Sequence, residues 1–102
     1  MTTPDLCIYV GRLEEDEPAV YAIEAETVEA LESAGRGFGW GADAGDAAVE
    51  LARALLTDAT GSEPSVDVCQ RFVREVLGRV PHDGFAIHRE TVNAWLRRVV
   101  AV

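Results

Sequence analysis

A chain of 102 residues is sufficient for one domain with a single core, and a hydrophobic content of 48% argues against disorder despite a net charge of −9. That acidity argues against direct contact with nucleic acid or anionic lipid, which it would repel. No apolar run approaches the ~20 residues that span a bilayer, and Met1–Leu6 lacks a leader's basic and apolar regions, so the expectation is one soluble, cytoplasmic domain over residues 1–102.

Leu6-Cys7-Ile8-Tyr9-Val10, ended by Gly11, and Ala19-Val20-Tyr21-Ala22-Ile23, opened by Pro18, are β-branched and aromatic runs that read as the strands of a hairpin. The connection between them holds Glu14, Glu15, Asp16 and Glu17, four consecutive carboxylates that must stay in water. Both runs are apolar at nearly every position, so both faces of the sheet are expected to be covered, by helices on one side and another segment on the other. Glu24–Ser33 places Val28 and Leu31 three apart among glutamates, which reads as a short amphipathic helix in preference to an irregular crossing segment. Gly35, Gly37, Gly39, Gly41 and Gly45 then interleave with Phe38 and Trp40, two aromatics expected to turn into the core at a tight bend.

The second half has a helical period. Ala48, Leu51, Ala52, Leu55 and Leu56 follow the i, i+3, i+4, i+7, i+8 pattern, with Asp43 or Asp46 as the expected N-cap and Gly61 beyond the end. Cys69, Phe72, Val73, Val76, Leu77 and Val80 repeat it in a helix capped by Ser65, with Asp67 in its first turn and Pro81 as its stop. Asp83-Gly84 signals a turn, Phe85-Ala86-Ile87 suffices for a short strand, and Val92, Trp95, Leu96 and Val99 form the stripe of a terminal helix starting near His88. This order predicts an α+β fold, a small antiparallel sheet of the N-terminal hairpin plus short strands packed against three helices, with Phe38, Trp40, Phe72 and Trp95 in the core.

Tyr9-Val10-Gly11, Phe38-Gly39-Trp40-Gly41 followed by Leu51-Ala52-Arg53-Ala54-Leu55-Leu56, Phe72-Val73-Arg74-Glu75-Val76, Pro81-His82-Asp83-Gly84-Phe85 and Ala94-Trp95-Leu96 together resemble the domain-of-unknown-function 6166 family. The resemblance spans nearly the whole chain. It implies a small protein of the kind found in phages, prophages and plasmids, and it implies no established activity. After Trp40-Gly41 this chain departs from the pattern: Ala42-Asp43-Ala44-Gly45-Asp46 stands where relatives carry an aromatic, glycines and Gly-Pro.

Catalytic and metal chemistry find little support in the residues. The glycine-rich turn lacks a P-loop lysine, and Asp43 and Asp46 would repel a phosphate. His82, Asp83 and His88 have no zinc spacing with Cys7 or Cys69, two thiols expected to be buried and reduced. A Cys69–His88 or His82–Asp83 site is the enzymatic alternative, against which stands the place of Cys69 on an apolar stripe. No catalytic residue, metal or cofactor is therefore assigned.

Charge asymmetry is the strongest functional signal. Residues 1–50 hold twelve carboxylates against two arginines, and residues 51–102 hold six against seven. Glu14, Glu15, Asp16, Glu17, Glu24, Glu26, Glu29 and Glu32 are eight acids with no base between Leu13 and Gly35. The sequence thus points to a non-catalytic interaction protein whose acids meet a basic protein surface. The most concrete form is a nucleic-acid mimic occupying a nucleic-acid-binding channel, as a counter-defence, anti-CRISPR-type inhibitor would. The alternatives are a halophile-adapted domain, which the complete absence of lysine also fits, and a small-ligand domain with its pocket at the Phe38/Trp40 turn.

Overall fold

The computed structural model describes residues 6–33 and 37–100; Met1–Asp5 and Gly35, to which the readings of the N-terminus and of the glycine-rich run extend, lie outside them. Strands β1 (Ile8–Glu14), β2 (Glu17–Ile23), β3 (Val28–Ala30) and β4 (Gly84–His88) form one antiparallel sheet in the order β3-β2-β1-β4. Three helices complete the α+β fold: α1 (Asp46–Thr60), α2 (Val66–Glu75) and α3 (Arg89–Val100), with a 3-10 turn at Leu77–Arg79.

The helices arise from the expected apolar spacing, and Ala48, Leu51, Ala52, Leu55 and Leu56 of α1 are all fully buried. Its N-cap is Gly45 rather than an aspartate. Gly45 has φ 57° and ψ −129°, a conformation that an L side chain resists, so Asp43 precedes the cap and Asp46 becomes the first helical residue. Ser65 does cap α2, its Oγ accepting the Val68 N–H at 3.3 Å. That helix ends at Glu75, well before Pro81. A continuing helix would need an N–H from residue 81 for the Leu77 carbonyl, which proline cannot supply, and Gly41 N–H satisfies that carbonyl instead at 2.9 Å.

The segment favoured as a helix around Val28 is a strand. An isolated β2 edge would leave its backbone groups unpaired, and β3 pairs them: Ile23 with Val28, Ala22 with Glu29, Tyr21 with Ala30. Strand alternation then separates the two apolar residues. Val28 lies exposed on one face, whereas Leu31 packs against the core.

One face of the sheet, carrying Tyr9, Gly11, Val20, Ala22 and Phe85, meets the helices. Gly11 is required there because the Phe85 ring occupies the space that a Cβ would fill. Phe38, Trp40, Phe72 and Trp95 all belong to the same core, in which Trp40 meets Phe85 edge to face at 5.1 Å and Trp95 meets Phe72 at 4.9 Å. Trp40 donates its indole N–H to the His82 carbonyl at 3.0 Å, and Trp95 donates to Glu75 at 3.0 Å. Arg71 and that indole hold the Glu75 carboxyl below its ordinary pKa.

Among the described residues no segment covers the second face of the sheet, contrary to expectation. Ile8, Val10, Ala19, Tyr21 and Ile23 project from the opposite face, are only half-buried, and take no part in the core. Among the described residues all three helices belong to the other side. Apolar residues at every strand position are compatible with burial on both faces, but they do not supply the covering segment.

Candidate interaction surface

The register places the open face's residues in rows across the strands. Val28, Ile23, Ile8 and His88 form one row, and Ala30, Tyr21, Val10 and Ala86 the next. Ala19, Arg12 and Gly84 follow, and Glu17 and Glu14 close the face at the hairpin tip. Tyr21 is fixed within it. Its hydroxyl donates to Glu14 Oε1 at 2.7 Å, and Arg12 Nε meets Glu14 Oε2 at 2.9 Å. The bond to Glu14, with a smaller contribution from desolvation, raises the Tyr21 pKa above its ordinary value.

The eight acids singled out from the sequence fall into three groups. Glu14, Glu15, Asp16 and Glu17 cap one end of the open face, at the tip of the β1–β2 hairpin. Glu24 and Glu26 sit in the β2–β3 turn at the other end, about 20 Å away by the length of a seven-residue strand. Glu29 pairs with the inward-facing Ala22 and so points to the helix side, where Glu32 also lines a cleft against α1. Glu14 is partnered as above, and Glu24 meets Arg89 at 3.2 Å. Glu15, Asp16, Glu17, Glu26, Glu29 and Glu32 are exposed, and among the described residues none of them forms an ion pair.

A polar cluster that the sequence does not reveal ties the sheet to two helices. Tyr9 of the Tyr9-Val10-Gly11 motif donates its hydroxyl to Asp58 Oδ2 at 2.6 Å and accepts from Arg89 Nε at 3.1 Å. Arg89 also donates to Asp58 at 3.1 Å. Burial, and then the bond to Asp58, push the Tyr9 phenol well above its ordinary pKa, so it is a neutral donor at physiological pH and no base. The arrangement is a latch joining β1, α1 and α3. Its members lie 49 and 80 residues apart in the chain, and no local motif marks them.

The remaining candidates are placed as follows. A groove of about 550 Å³ lies at the Trp40 turn, lined by Leu13, Pro18, Trp40, Asp43, Val80 and His82, and Phe38 takes no part in it. Cys69 is fully buried on the inner side of α2, where burial raises its thiol pKa, whereas His88 is exposed on the open face of the sheet, so the structure does not bring the two together. His82 and Asp83 stand in an exposed turn. Cys7 and Cys69 are both buried and unlinked. Among the described residues no three His, Cys, Asp or Glu side chains are grouped to hold a metal ion, and no helix is long and apolar enough to cross a membrane.

A four-stranded sheet with helices on one face, an open apolar face on the other and acids at both ends describes an α+β protein of a definite architecture. The chain belongs to the family of unknown function DUF6166, whose model matches residues 9–98. No curated protein and no solved structure matches it.

Proposed function

We propose that this protein is a non-catalytic interaction module that binds a basic surface of a partner protein. The observation that carries the reading is the set of exposed carboxylates without ion pairs, at the hairpin tip and in the β2–β3 turn, on a half-chain that holds twelve acids and two arginines. Such an array focuses a negative potential that speeds encounter with cationic surfaces and disfavours anionic ones. A nucleic-acid-binding channel is the narrower form of such a surface, since it presents the densest regular cationic lining.

The test neutralises acids that make no structural bond: Glu15→Gln, Asp16→Asn, Glu17→Gln and Glu26→Gln, leaving Glu14 to hold Tyr21. A partner recovered with the wild-type chain is titrated against both forms at increasing salt. The neutralised form is expected to bind several-fold more weakly, chiefly through a slower on-rate, and wild-type affinity is expected to fall as the Debye length drops below ~8–10 Å. Equal affinity for both forms, with no salt dependence in either, would remove the reading.

A further inference from the structure

The open face of the sheet is the largest feature that the acids alone do not explain. Its apolar centre is Ile8, Val10, Tyr21, Ile23 and Val28, drawn from three adjacent strands, and Val28 is 66% exposed. We infer that this face is the docking surface for a partner protein that presents an apolar patch bordered by lysine or arginine. This rests on the electrostatic reading above and specifies the partner it requires.

Size and charge select that occupant. Three strands spaced ~4.8 Å apart, carrying two residue rows ~7 Å apart, give an apolar centre of roughly 200 Å². A stable interface takes about 800 Å² from each partner, so contact must extend beyond the centre. The extension along the strands runs past Arg12, which Glu14 holds, onto Glu15, Asp16 and Glu17 at one end, and onto Glu26 at the other, Glu24 being held by Arg89. A partner covering the centre therefore sets its own rim against carboxylates, and that rim must be basic. A second copy of the chain is disfavoured on the same grounds, since stacking would bring two strongly acidic halves together over too small an apolar area. Tyr21 suits the role of central anchor. An aromatic ring whose hydroxyl is already held by Glu14, itself held by Arg12, loses little freedom on binding.

The experiment titrates isotope-labelled full-length protein with three synthetic peptides, followed by amide and methyl shifts. One has a Leu-Phe-Val centre between Lys-Lys-Lys ends, the second keeps the ends with a Gly-Ser centre, and the third keeps the apolar centre between Glu-Glu-Glu ends. The first is expected to bind most tightly and to shift Ile8, Val10, Tyr21, Ile23 and Val28. Tyr21→Thr with Ile23→Thr, which keeps strand-forming residues, should lower its affinity by roughly tenfold. Val28→Lys, at an exposed position that folding does not use, should weaken it as well.

Equal binding of the first two peptides, or face variants that bind like wild type, would overturn the docking surface while leaving the electrostatic reading intact. Equal binding of the Lys-ended and Glu-ended peptides would overturn the electrostatic reading. Absence of binding by the first peptide, a dimer by sedimentation that Val28→Lys dissolves, or Overhauser contacts in the free protein from elsewhere in the chain onto the Tyr21 ring would each overturn the proposal.

Discussion

Gly11 shows how one residue couples the sheet to the core. It faces the helices between Tyr9 and Leu13 on β1, and the Phe85 ring from the neighbouring β4 lies in the space that any side chain would need. Gly11→Ala must displace that ring and with it the edge-to-face contact to Trp40, so it should destabilise the fold by about 1–3 kcal/mol or more. Urea titration checks this, and an unchanged midpoint would show that Phe85 has another place to go. Trp40 and Trp95 are each 5% exposed and each uses its indole N–H. Trp→Ala at either removes a large buried ring together with its indole hydrogen bond, at a cost of roughly 3–5 kcal/mol, which is much of the stability of a small domain. Near-wild-type melting of both variants would contradict the packing described. The Trp40 and Trp95 positions are suggested by apolar neighbours in the sequence, but the identity of the ring against Gly11 is not, because it comes from more than seventy residues away.

Among the elements, the hairpin turn is the place where sequence and backbone conflict. Glu15 and Asp16 have φ of 52° and 68°, the left-handed pair that a two-residue hairpin loop demands and that Asn-Gly adopts most readily. Glu15→Asn with Asp16→Gly should stabilise the chain by about 1–2 kcal/mol, through relief of the left-handed conformation and of charge repulsion together. Comparing it with Glu15→Gln plus Asp16→Asn in thermal melts separates the backbone share from the charge share. A lower melting temperature for the Asn-Gly form would mean that the turn is not strained. The hairpin and the helices are legible in the sequence because their signals are local: β-branched runs, side-chain period, Ser65 before Val68. The β3 strand is not, since its cause is the unpaired edge of β2. Beyond the end of α2 the Leu77 carbonyl takes the Gly41 N–H, a partner equally non-local. The acids are legible as a group, but their division between the two ends of the sheet and its helix side depends on that same register.

At the scale of the whole molecule, the acidity has two explanations that salt can separate. If the carboxylates are an exposed set that repels itself, screening should stabilise the fold, and the effect should be nearly complete by a few hundred millimolar, where the Debye length has fallen to about 5 Å. If the acidity and the absence of lysine are instead an adaptation to brine, stability should keep rising into molar salt. The sequence favours the first, because twelve of the acids stand in residues 1–50 against two arginines. Among the described residues the exposed acids without ion pairs are Glu15, Asp16, Glu17, Glu26, Glu29 and Glu32 in and beside the sheet, and Asp43, Asp46, Asp67, Asp83 and Glu90 at turns and helix starts elsewhere. The expected outcome is a melting temperature that climbs by several degrees between about 10 and 300 mM sodium chloride and then levels. The form neutralised at Glu15, Asp16, Glu17 and Glu26 should start higher and climb less, because fewer like charges remain to be screened. Parallel salt curves for the two forms, or a steady rise to molar salt, would assign the charge to the environment in which the protein works rather than to the surface it meets.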